Sequence, residues 1–231
     1  MRMWMNSSCI EEGDYFLVNE KNKIYVEDAI KKGCKRVITD TNCSFNVETI
    51  NIDNINNYLY CNYIKYIDKM KFIGITGTNG KTTTCFLIYQ MLKMMDIKVC
   101  YIGTIGFYID NEIYDLDNTT PGIDLLYNLI KFAYEKDIDV IVMEVSSHAL
   151  KQDRIYGLLF DAIGVTNVTK EHLDYHRTMK DYVLSKKKLI NFTKNKKICI
   201  LNSYDKYYKK FVNKVNNNFI IGKDIKIRKV K

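Results

Sequence analysis

No apolar segment of this chain is long enough to cross a membrane. A membrane-spanning helix needs about 18–20 consecutive apolar residues, and polar residues interrupt each apolar run well before that length. The N-terminus, MRMWMNSSC, also lacks the apolar core of a secretory signal peptide. These absences argue against a membrane protein and predict a cytoplasmic location with no membrane insertion.

Paired cysteines are missing as well. The chain has seven cysteines, an odd number, and they are scattered and never spaced as Cys-x-x-Cys. Such a pattern argues against a disulfide framework and against a zinc ribbon. We expect reduced, packed thiols.

The positive charge is not concentrated anywhere, although the net charge is +8. Lysines are spread along the chain, with denser spots only at 186–188, 194–197 and in the last nine residues. Nucleic-acid-binding proteins usually concentrate such residues on one face. The sequence therefore predicts no nucleic acid partner, and its basic surface would favour small anions such as nucleotides.

The chain does contain an alternation of strand and helix patterns. Residues 1–70 predict a small α/β domain, with strands at 14–18 and 36–39 and a helix at 26–32, whereas residues 41–62 stay unassigned. From residue 71 onward we predict strands at 71–76, 97–102, 138–145, 160–166, 197–202 and 217–221, and helices at 81–95, 122–136, 178–193 and 204–215. The fold class is therefore α/β, with a mostly parallel sheet flanked by helices. Ligands bind such sheets beyond the carboxyl ends of the strands.

The ten residues GITGTNGKTT, at positions 74–83, are the most informative segment. A short apolar strand leads into a loop bracketed by Gly77 and Gly80, and Lys81 and Thr82 open the next helix. Bare backbone N–H groups and a helix N-terminus suit a triphosphate, the lysine reaches the distal phosphates, and the following hydroxyl can hold Mg²⁺. The segment predicts an ATP-binding loop made of Gly77, Thr78, Asn79, Gly80, Lys81, Thr82 and Thr83.

This loop departs from the strict P-loop pattern, which would have glycine in place of Ile75. A Gly-rich turn without a ligand is the rival interpretation. The context disfavours it, because a strand precedes the loop and an amphipathic helix follows, with Cys85, Ile88, Leu92 and Met95 on one face.

The segment DNTTPG, at 117–122, holds the only proline of the chain. Pro121 at a helix start, with threonine hydroxyls before it, is typical of an ordinary N-cap. The same hydroxyls could instead donate to an anionic substrate. The residues alone leave both interpretations open.

A carboxylate ends the apolar strand predicted at 138–145. Glu144 at such a position costs free energy unless it is paired or binds a cation, and Mg²⁺ is the natural cation beside a phosphate loop. Glu144 is therefore a candidate metal ligand, while Ser146 and Ser147 could cap the next turn.

All three histidines lie between residues 148 and 176. The spacing of His172 and His176 can place two imidazoles on one helical face, so a zinc pair is one interpretation. The missing HExxH glutamate and the lack of a third obvious ligand disfavour it. We expect His172 to lie near the metal–phosphate site.

The helix predicted at 178–193 has a lysine in its apolar stripe. With Met179 at the centre of the face, Tyr182, Val183, Lys186 and Ile190 fall in a narrow arc, whereas Lys187 and Lys188 point to solvent. An inward lysine costs free energy unless it has a partner. It either extends to the surface or serves an active site.

Together these segments resemble the Mur ligase family, and within it the MurE type, whose members add the third amino acid to UDP-N-acetylmuramoyl-L-alanyl-D-glutamate. The resemblance runs in matching order through GDYFLV, EDAIKKGCKRVI, GITGTNGKTTT, NTTPG, MEVSSHAL, TNVTKEHLDYHRTMKDYVLSKKKLI and ILNSYD. MEVSSHAL and HLDYH are the most specific parts, because sister ligases and folylpolyglutamate synthases share the loop but usually not these segments.

The resemblance implies a UDP-substrate-binding domain at 1–70 and a truncated central ATP-binding domain at 71–231, acting as a monomer. It implies ATP and Mg²⁺ as cofactors, with Mg²⁺ held by Thr82, Glu144, His172 and a CO₂-derived carbamate on Lys186. Catalytic roles are implied for Lys81, Glu144, His172 and carbamylated Lys186. Contacts to the UDP-sugar peptide are implied for Met5, Ser7, Asn118, Thr119, Thr120, Ser146, Gln152 and Arg154.

The implied reaction is ATP-dependent amide ligation in peptidoglycan precursor synthesis. The D-glutamyl carboxylate attacks the γ-phosphate of ATP to give an acyl phosphate, and the amine of the incoming diaminopimelate or lysine then displaces phosphate. Lys81 and Mg²⁺ would stabilise the transferring phosphoryl group.

Two departures from the family pattern limit this interpretation. Asn6-Ser7-Ser8 stands where the family has Asp-Ser-Arg, which removes a charged contact. The family's central sheet also continues past residue 231 into a C-terminal domain with the amino-acid pocket, which we expect to be absent here. The alternative is a non-catalytic ATP- and UDP-sugar-binding remnant of such a ligase.

Overall fold

Two β-sheets organise the computed structural model of this chain, which describes residues 2–212 and 217–225. The smaller sheet has the strand order β1-β2-β3-β4, and all of its pairings are parallel. Its strands are β1 Met3–Trp4, β2 Tyr15–Val18, β3 Arg36–Thr39 and β4 Thr49–Asn51. All four residues of β2 are buried, as expected of a parallel strand covered on both faces.

Two helices accompany the smaller sheet. Helix α1, Val26–Lys31, connects β2 to β3 at the predicted position. Helix α2, Ile55–Ile67, begins at Asn54, whose side chain accepts a hydrogen bond from the backbone N–H of Asn57. The segment left unassigned at 41–62 therefore contains β4 and the first part of α2, and one of its asparagines is a helix cap.

The larger sheet has the strand order β12-β11-β10-β5-β9-β6-β7-β8. Its strands are β5 Lys71–Thr76, β6 Val99–Gly103, β7 Gly106–Ile109, β8 Glu112–Tyr114, β9 Val140–Glu144, β10 Phe160–Val165, β11 Thr193–Asn202 and β12 Asn217–Ile221. The first six strands in this order pair in parallel, which confirms the predicted sheet, and only β7 and β8 pair antiparallel.

Five helices connect these strands: α3 Lys81–Met94, α4 Ile123–Glu135, α5 Ser147–Lys151, α6 Leu173–His176 and α7 Met179–Asn191. Helix α7 begins where the Thr178 hydroxyl accepts a hydrogen bond from the Asp181 backbone N–H, at 3.1 Å. Its buried residues include Tyr182, Val183, Lys186 and Ile190, which confirms the predicted stripe. Among the described residues, no helix is both long and apolar enough to cross a membrane.

The two sheets share one core through the packing of α2 against α4. The Tyr63 hydroxyl of α2 donates to the Asn128 side-chain carbonyl at 2.7 Å, and the Asn128 amide donates to the Met3 carbonyl of β1 at 2.9 Å. The Asn128 amide group therefore joins α4 to both α2 and β1. Leu17 of β2, Leu59 of α2 and Ile130 of α4 are fully buried in the same apolar cluster.

Two local predictions were wrong. Helix α3 ends at Met94, so Met95 lies beyond its last turn and is 66% exposed instead of packed with Cys85. The helix predicted at 204–215 is only a short 3₁₀ turn at Tyr208–Lys210 within the described residues, and the predicted end at 213–215 lies outside them. Asn202 and Asp205 accept bonds from nearby backbone N–H groups, which favours turns over a helix.

Candidate functional site

The predicted site residues come together at the carboxyl ends of neighbouring strands of the larger sheet. The Gly-rich loop follows β5, Glu144 ends β9, and Thr166 and Asn167 follow β10. These strands are adjacent in the sheet order, with β5 between the other two. Their connections therefore meet at one edge, where ligands of parallel sheets bind.

The loop from Gly77 to Gly80 has a conformation that favours glycine at both ends. Gly77 has φ +151° and Gly80 has φ +82°. A Cβ atom on Gly77 would lie 1.9 Å from the Thr166 hydroxyl oxygen, whereas a Cβ on Gly80 would have no atom within 4 Å. Gly77 is thus constrained by space as well as by backbone geometry, and Gly80 by geometry alone.

Hydrogen bonds fasten this loop to the end of β10. The Thr78 N–H donates to the Asn167 backbone carbonyl at 2.8 Å, and the Asn79 N–H donates to the Asn167 side-chain oxygen at 3.1 Å. The Asn167 amide and the Thr166 hydroxyl both donate to the Asn79 carbonyl, at 3.0 and 2.7 Å. These four bonds hold the loop against the end of β10.

Two lysine ammonium groups converge on one carbonyl of the loop. Lys81 Nζ donates to the carbonyls of Gly77 and Thr78, at 3.1 and 2.9 Å. Lys186 Nζ, on a side chain that is 1% exposed, donates to the same Gly77 carbonyl at 2.7 Å. Burial, together with the nearby Lys81 charge, lowers the pKa of Lys186 to about 7.

Glu144 is fully buried and accepts several hydrogen bonds. The Tyr101 hydroxyl donates to Oε1 at 2.5 Å, and the Thr104 backbone N–H donates to the same atom at 2.9 Å. The hydroxyls of Thr82 and Thr104 donate to Oε2 at 3.0 and 3.2 Å. Burial and the bond to Glu144 raise the pKa of Tyr101, so the hydroxyl keeps its proton and acts as a donor.

A cavity of about 240 Å³ brings together seven of the predicted site residues, including most of those expected to contact the UDP-sugar peptide. It is lined by Lys81, Asn118, Thr119, Thr120, Ser146, His148, Arg154 and His172. All of these except His148 were predicted from the sequence. The lining side chains carry hydroxyl, amide, guanidinium, ammonium and imidazole groups, all of which can donate hydrogen bonds to an anion.

The threonines before Pro121 do not cap helix α4, so the N-cap interpretation is wrong. The N-cap residue of α4 is Gly122, which has no side chain that could cap the helix. Thr120 donates instead to the Glu144 backbone carbonyl at 2.8 Å and accepts from the Ser146 N–H at 3.0 Å. Thr119 lies within 3.0 Å of the Thr104 hydroxyl. These hydroxyls therefore build the cavity wall.

Arg154 lines the cavity next to Thr120. Arg154 donates to the Thr120 carbonyl at 2.7 Å and to the Gln152 side-chain oxygen at 2.9 Å, and Gln152 donates to the Tyr175 hydroxyl at 3.1 Å. Gln152 itself is outside the set of lining residues. Gln152 orients the Arg154 side chain by accepting this hydrogen bond.

The three histidines are neighbours in space. The His148 ring centroid lies 4.9 Å from that of His172 and 5.6 Å from that of His176. His172 precedes α6 in a left-handed conformation (φ +52°), so His172 and His176 do not share a helical face and the zinc-pair geometry is not formed. In the described part of the chain, no group of three or more His, Cys, Asp or Glu side chains is arranged to hold a metal ion.

Met5 and Ser7 do not line the cavity with the other predicted residues. The Met5 N–H donates to the Asp124 carboxylate of α4 at 2.7 Å. Ser7 is buried in a short 3₁₀ turn, and its carbonyl accepts from Lys32 Nζ at 3.2 Å. They lie in the smaller sheet's region, so a ligand contacting both places would have to be long.

A second cavity, of about 400 Å³, adjoins the Gly-rich loop on its other side. It is lined by Asn79, Gly80 and Thr84 of the loop and helix start, by Thr166, Asn167 and Asn202 at strand ends, and by Ile75, Ile88, Gly164, Val165, Ile200, Tyr204 and Ile221. Apolar side chains cover much of it, with a few amides at the loop end.

Sequence reasoning missed several residues of this site. Tyr101 and Thr104 hold Glu144, Asn167 holds the loop, and His148 lines the cavity. One usable signal existed for both Asn167 and Thr104, since Asn167 directly follows a predicted strand and Thr104 comes two residues after the end of another. Tyr101 lies inside an apolar strand and carried no such signal.

Comparison with known proteins gives consistent results. A family model described as "Mur ligase middle domain" matches residues 75–228. A UDP-N-acetylmuramoyl-L-alanyl-D-glutamate–2,6-diaminopimelate ligase of Clostridium perfringens is 39% identical over 190 residues, which are 78% of this chain and 39% of that protein. A ligase of the same name from Fusobacterium nucleatum is 36% identical over 206 residues, 86% of this chain and 42% of that one. The chain thus spans about two fifths of the length of these relatives.

Solved structures show the same fold. The structure of a UDP-N-acetylmuramoyl-L-alanyl-D-glutamate–2,6-diaminopimelate ligase superposes with a TM-score of 0.74 at 23% identity, covering 95% of this chain and 48% of that one. MurF ligase from Thermotoga maritima in complex with ADP superposes with a TM-score of 0.67 at 17% identity, covering 95% and 49%. At these identities the likeness concerns the fold alone.

Proposed function

The chain belongs to the Mur ligase family, and we propose that it forms the nucleotide- and UDP-sugar-peptide-binding part of an ATP-dependent ligase of peptidoglycan precursor synthesis. The substrate would be UDP-N-acetylmuramoyl-L-alanyl-D-glutamate. The names of the relatives support 2,6-diaminopimelate as the added amino acid. Residues 1–70 would bind the uridine end, through Met5 and Ser7, and residues 71–231 would bind ATP and the peptide end.

One observation carries this proposal: the Gly-rich loop and the polar cavity share Lys81. The lysine lies on the loop that would hold the phosphates and also lines the 240 Å³ cavity with Asn118, Thr119 and Arg154. A phosphate held by the loop would therefore lie beside an anionic group held in the cavity. Such proximity is what transfer of a phosphoryl group to a carboxylate requires.

The second cavity suits the base of the nucleotide. It adjoins Asn79 and Gly80 of the loop, and its apolar walls, Ile75, Ile88 and Ile200, would pack against a flat ring. Asn167 and Asn202 at its edge could form hydrogen bonds with polar atoms of the base. One cavity would thus hold the base of ATP and the other the peptide end of the acceptor substrate, and the loop between them would hold the phosphates.

The residues at the loop fit Mg²⁺. Thr82 and Glu144 bring a hydroxyl and a carboxylate oxygen within 3.0 Å of each other, and both are ligand types that Mg²⁺ prefers. Magnesium is commonly held by one or two carboxylates together with substrate phosphates, so a full protein cage is not needed. Bound there, Mg²⁺ would neutralise charge on the phosphates, and His172 would approach from the cavity side.

Lys186 would carry the carbamate in this proposal. Carbamylation requires the unprotonated amine, and burial that lowers the pKa of Lys186 to about 7 makes that form available near neutral pH. A carbamate would replace a buried cation by a carboxylate-like ligand close to the loop carbonyl of Gly77. Lys81 would then have an opposite charge next to it instead of a like one.

Binding measurements on this chain test the proposal. We expect isothermal titration calorimetry to show one site for AMP-PNP with Mg²⁺ and a separate site for UDP-MurNAc-L-Ala-D-Glu. Lys81→Ala should weaken the nucleotide by at least about tenfold, since it removes a charge-assisted contact. Arg154→Ala should weaken the UDP-sugar peptide instead. Lys93→Ala, an exposed lysine on the same helix α3 that bonds only the Asp110 carbonyl, is the matched control and should change neither.

The outcomes separate the alternatives. Failure of the wild-type chain to bind either ligand would contradict the proposal. Binding of both without phosphate release from ATP, even with bicarbonate and diaminopimelate present, would favour the non-catalytic remnant.

A further inference from the structure

His176 has no part in the chemistry proposed above, yet it is one of the most completely engaged side chains near the site. It is fully buried, and its Nε2 atom lies 3.0 Å from the Ser147 hydroxyl. Its Nδ1 atom lies 3.4 Å from the Ser185 hydroxyl. The Asp181 carboxylate is 3.7 Å from the same Nδ1. Both ring nitrogens thus have hydroxyl partners on two different elements.

These partners belong to the segments that carry the proposed metal ligands. Ser147 opens α5, three residues after Glu144. Ser185 precedes Lys186 in α7. His176 itself ends α6, one turn after His172. One imidazole therefore connects the three segments that bear Glu144, His172 and Lys186.

The segment around α6 needs such an anchor, because its backbone is strained at both ends. His172 has φ +52° and Arg177 has φ +61°, and neither is glycine. Left-handed conformations of non-glycine residues persist only where the surrounding structure enforces them. Backbone bonds from the His176 N–H to the His172 carbonyl, at 2.9 Å, and from the Thr178 N–H to the His176 carbonyl, at 2.7 Å, close the turn around the buried ring.

The ring also packs against aromatic neighbours on both sides. Its centroid lies 5.1 Å from that of Tyr182 on α7 and 4.9 Å from that of Tyr175. The His172 side chain, by contrast, is 45% exposed and faces the cavity. The position of the exposed His172 imidazole would thus depend on the buried His176 imidazole.

We propose that His176 is a positioning residue that sets the orientation of His172 relative to Glu144 and Lys186 through its bonds to Ser147 and Ser185. This inference rests on the proposed function, because it gives His172 a role toward the metal–nucleotide complex. Removing the ring should loosen the α6 segment and weaken metal binding without changing the residues that contact the metal. Losses of outer ligand support commonly lower metal affinity 10- to 100-fold.

Three variants divide the contacts. His176→Phe keeps an aromatic ring and removes both hydrogen bonds. His176→Gln places an amide near the position of Nε2 and keeps the bond to Ser147. Ser147→Ala removes the hydroxyl partner of His176 Nε2 and changes the volume of the core much less than a change of the imidazole does. Ile190→Val, a small buried change on α7 that removes no hydrogen bond, is the control for a general loss of stability.

The experiment measures Mn²⁺ affinity in the presence of AMP-PNP by electron paramagnetic resonance, and hydrogen exchange of residues 166–178 without ligands. We expect about tenfold weaker Mn²⁺ binding and faster exchange in His176→Phe and Ser147→Ala, and near-wild-type values in Ile190→Val. His176→Gln should give intermediate values, because it keeps the bond to Ser147 and loses only the longer contact to Ser185, at 3.4 Å. Adding Ser147→Ala to His176→Phe should weaken Mn²⁺ binding little further, because the His176→Phe change has already removed the bond between these two side chains.

The experiment distinguishes failure of the proposed function from failure of the role assigned to His176. If the wild-type chain fails to bind Mn²⁺ with AMP-PNP, the proposed function is wrong. If the wild type binds and His176→Phe or Ser147→Ala binds equally well, or if Ile190→Val weakens binding as much, His176 is not a positioning residue.

Discussion

At the scale of the residue, Lys186 shows how burial changes the chemistry of a side chain. The ammonium group is 1% exposed and shares the Gly77 carbonyl with Lys81, and no carboxylate lies within ion-pair distance of it in the described part of the chain. The Tyr182 ring, 4.5 Å from Nζ, offers a weaker electrostatic partner. The folded chain therefore favours the neutral amine.

This lysine predicts a pH dependence of stability. Its pKa falls from 10.5 to about 7 on folding, so between these values the unfolded chain holds more protons and rising pH stabilises the folded chain. Lys186→Met should lack this gain. In CO₂-free buffer, the stability difference between wild type and variant should shift by up to roughly 1.4 kcal/mol per pH unit between pH 7 and 9. Urea unfolding at both pH values measures it, and an unchanged difference would contradict the burial argument.

The two loop glycines predict unequal effects of the same substitution. Gly77→Ala brings its Cβ within 1.9 Å of the Thr166 oxygen, so the strand end must move. We expect a loss of about 1–3 kcal/mol, as for overpacking, together with weaker nucleotide binding. Gly80→Ala meets no atom within 4 Å and suffers only from its φ of +82°, at about 1–2 kcal/mol. Thermal unfolding and AMP-PNP titration compare them; equal nucleotide affinity would show that the Thr166 contact is unimportant.

At the scale of the element, helix α7 matters because it carries both Lys186 and Ser185. Its first turn depends on the Thr178 hydroxyl, which accepts from the Asp181 N–H. The neighbouring Arg177 has φ +61°, so the chain enters the helix from a strained residue. The cap therefore fixes the position at which the helix starts.

Removing this cap gives a prediction for the element. Thr178→Ala should lower the free energy of unfolding by about 1 kcal/mol, whereas Thr178→Ser, which keeps the hydroxyl, should restore most of it. Chemical denaturation followed by circular dichroism measures both. Equal stability of the two variants would mean that the hydroxyl does not cap α7.

Sequence patterns predicted the long elements well and the short ones poorly. The strands at 71–76 and 138–145 and the helices at 81–95 and 178–193 were found, because their periodicity extends over many residues. The hairpin of β7 and β8 and the turn of α6 were not predicted. Each spans only three or four residues, and its form depends on neighbours: β7 pairs with the edge of β6, and α6 closes on His176.

At the scale of the whole molecule, the two sheets behave as one packed unit through α2 and α4. The Asn128 amide joins Tyr63 of α2 to Met3 of β1, and Asp124 of the same helix accepts from the Met5 N–H. The apolar core therefore continues across the predicted domain boundary near residue 70.

This packing predicts a single unfolding transition. The only tryptophan, Trp4, reports on the smaller sheet, and far-ultraviolet circular dichroism reports on the whole chain; the two urea curves should coincide. Asn128→Ala should shift both curves together by about 1–3 kcal/mol, because the Tyr63 hydroxyl and Met3 carbonyl lose a buried partner. Asn62→Ala, an exposed asparagine on α2 that bonds only the Tyr58 carbonyl, is the control and should cost far less. Two separate transitions would contradict the shared core.

The sequence by itself determined the sheet type, the Gly-rich loop, the apolar strand that ends in Glu144 and the inward direction of Lys186. Each of these follows from the order and period of neighbouring residues, which act over a few positions of the chain. Only the tertiary structure decided that Thr120 builds the cavity wall instead of a helix cap, that Tyr101 holds Glu144, and that His176 joins three segments. Most of those contacts connect residues 24 to 43 positions apart, such as Thr120 with Glu144 and Tyr101 with Glu144. No local pattern records which distant strand ends will meet.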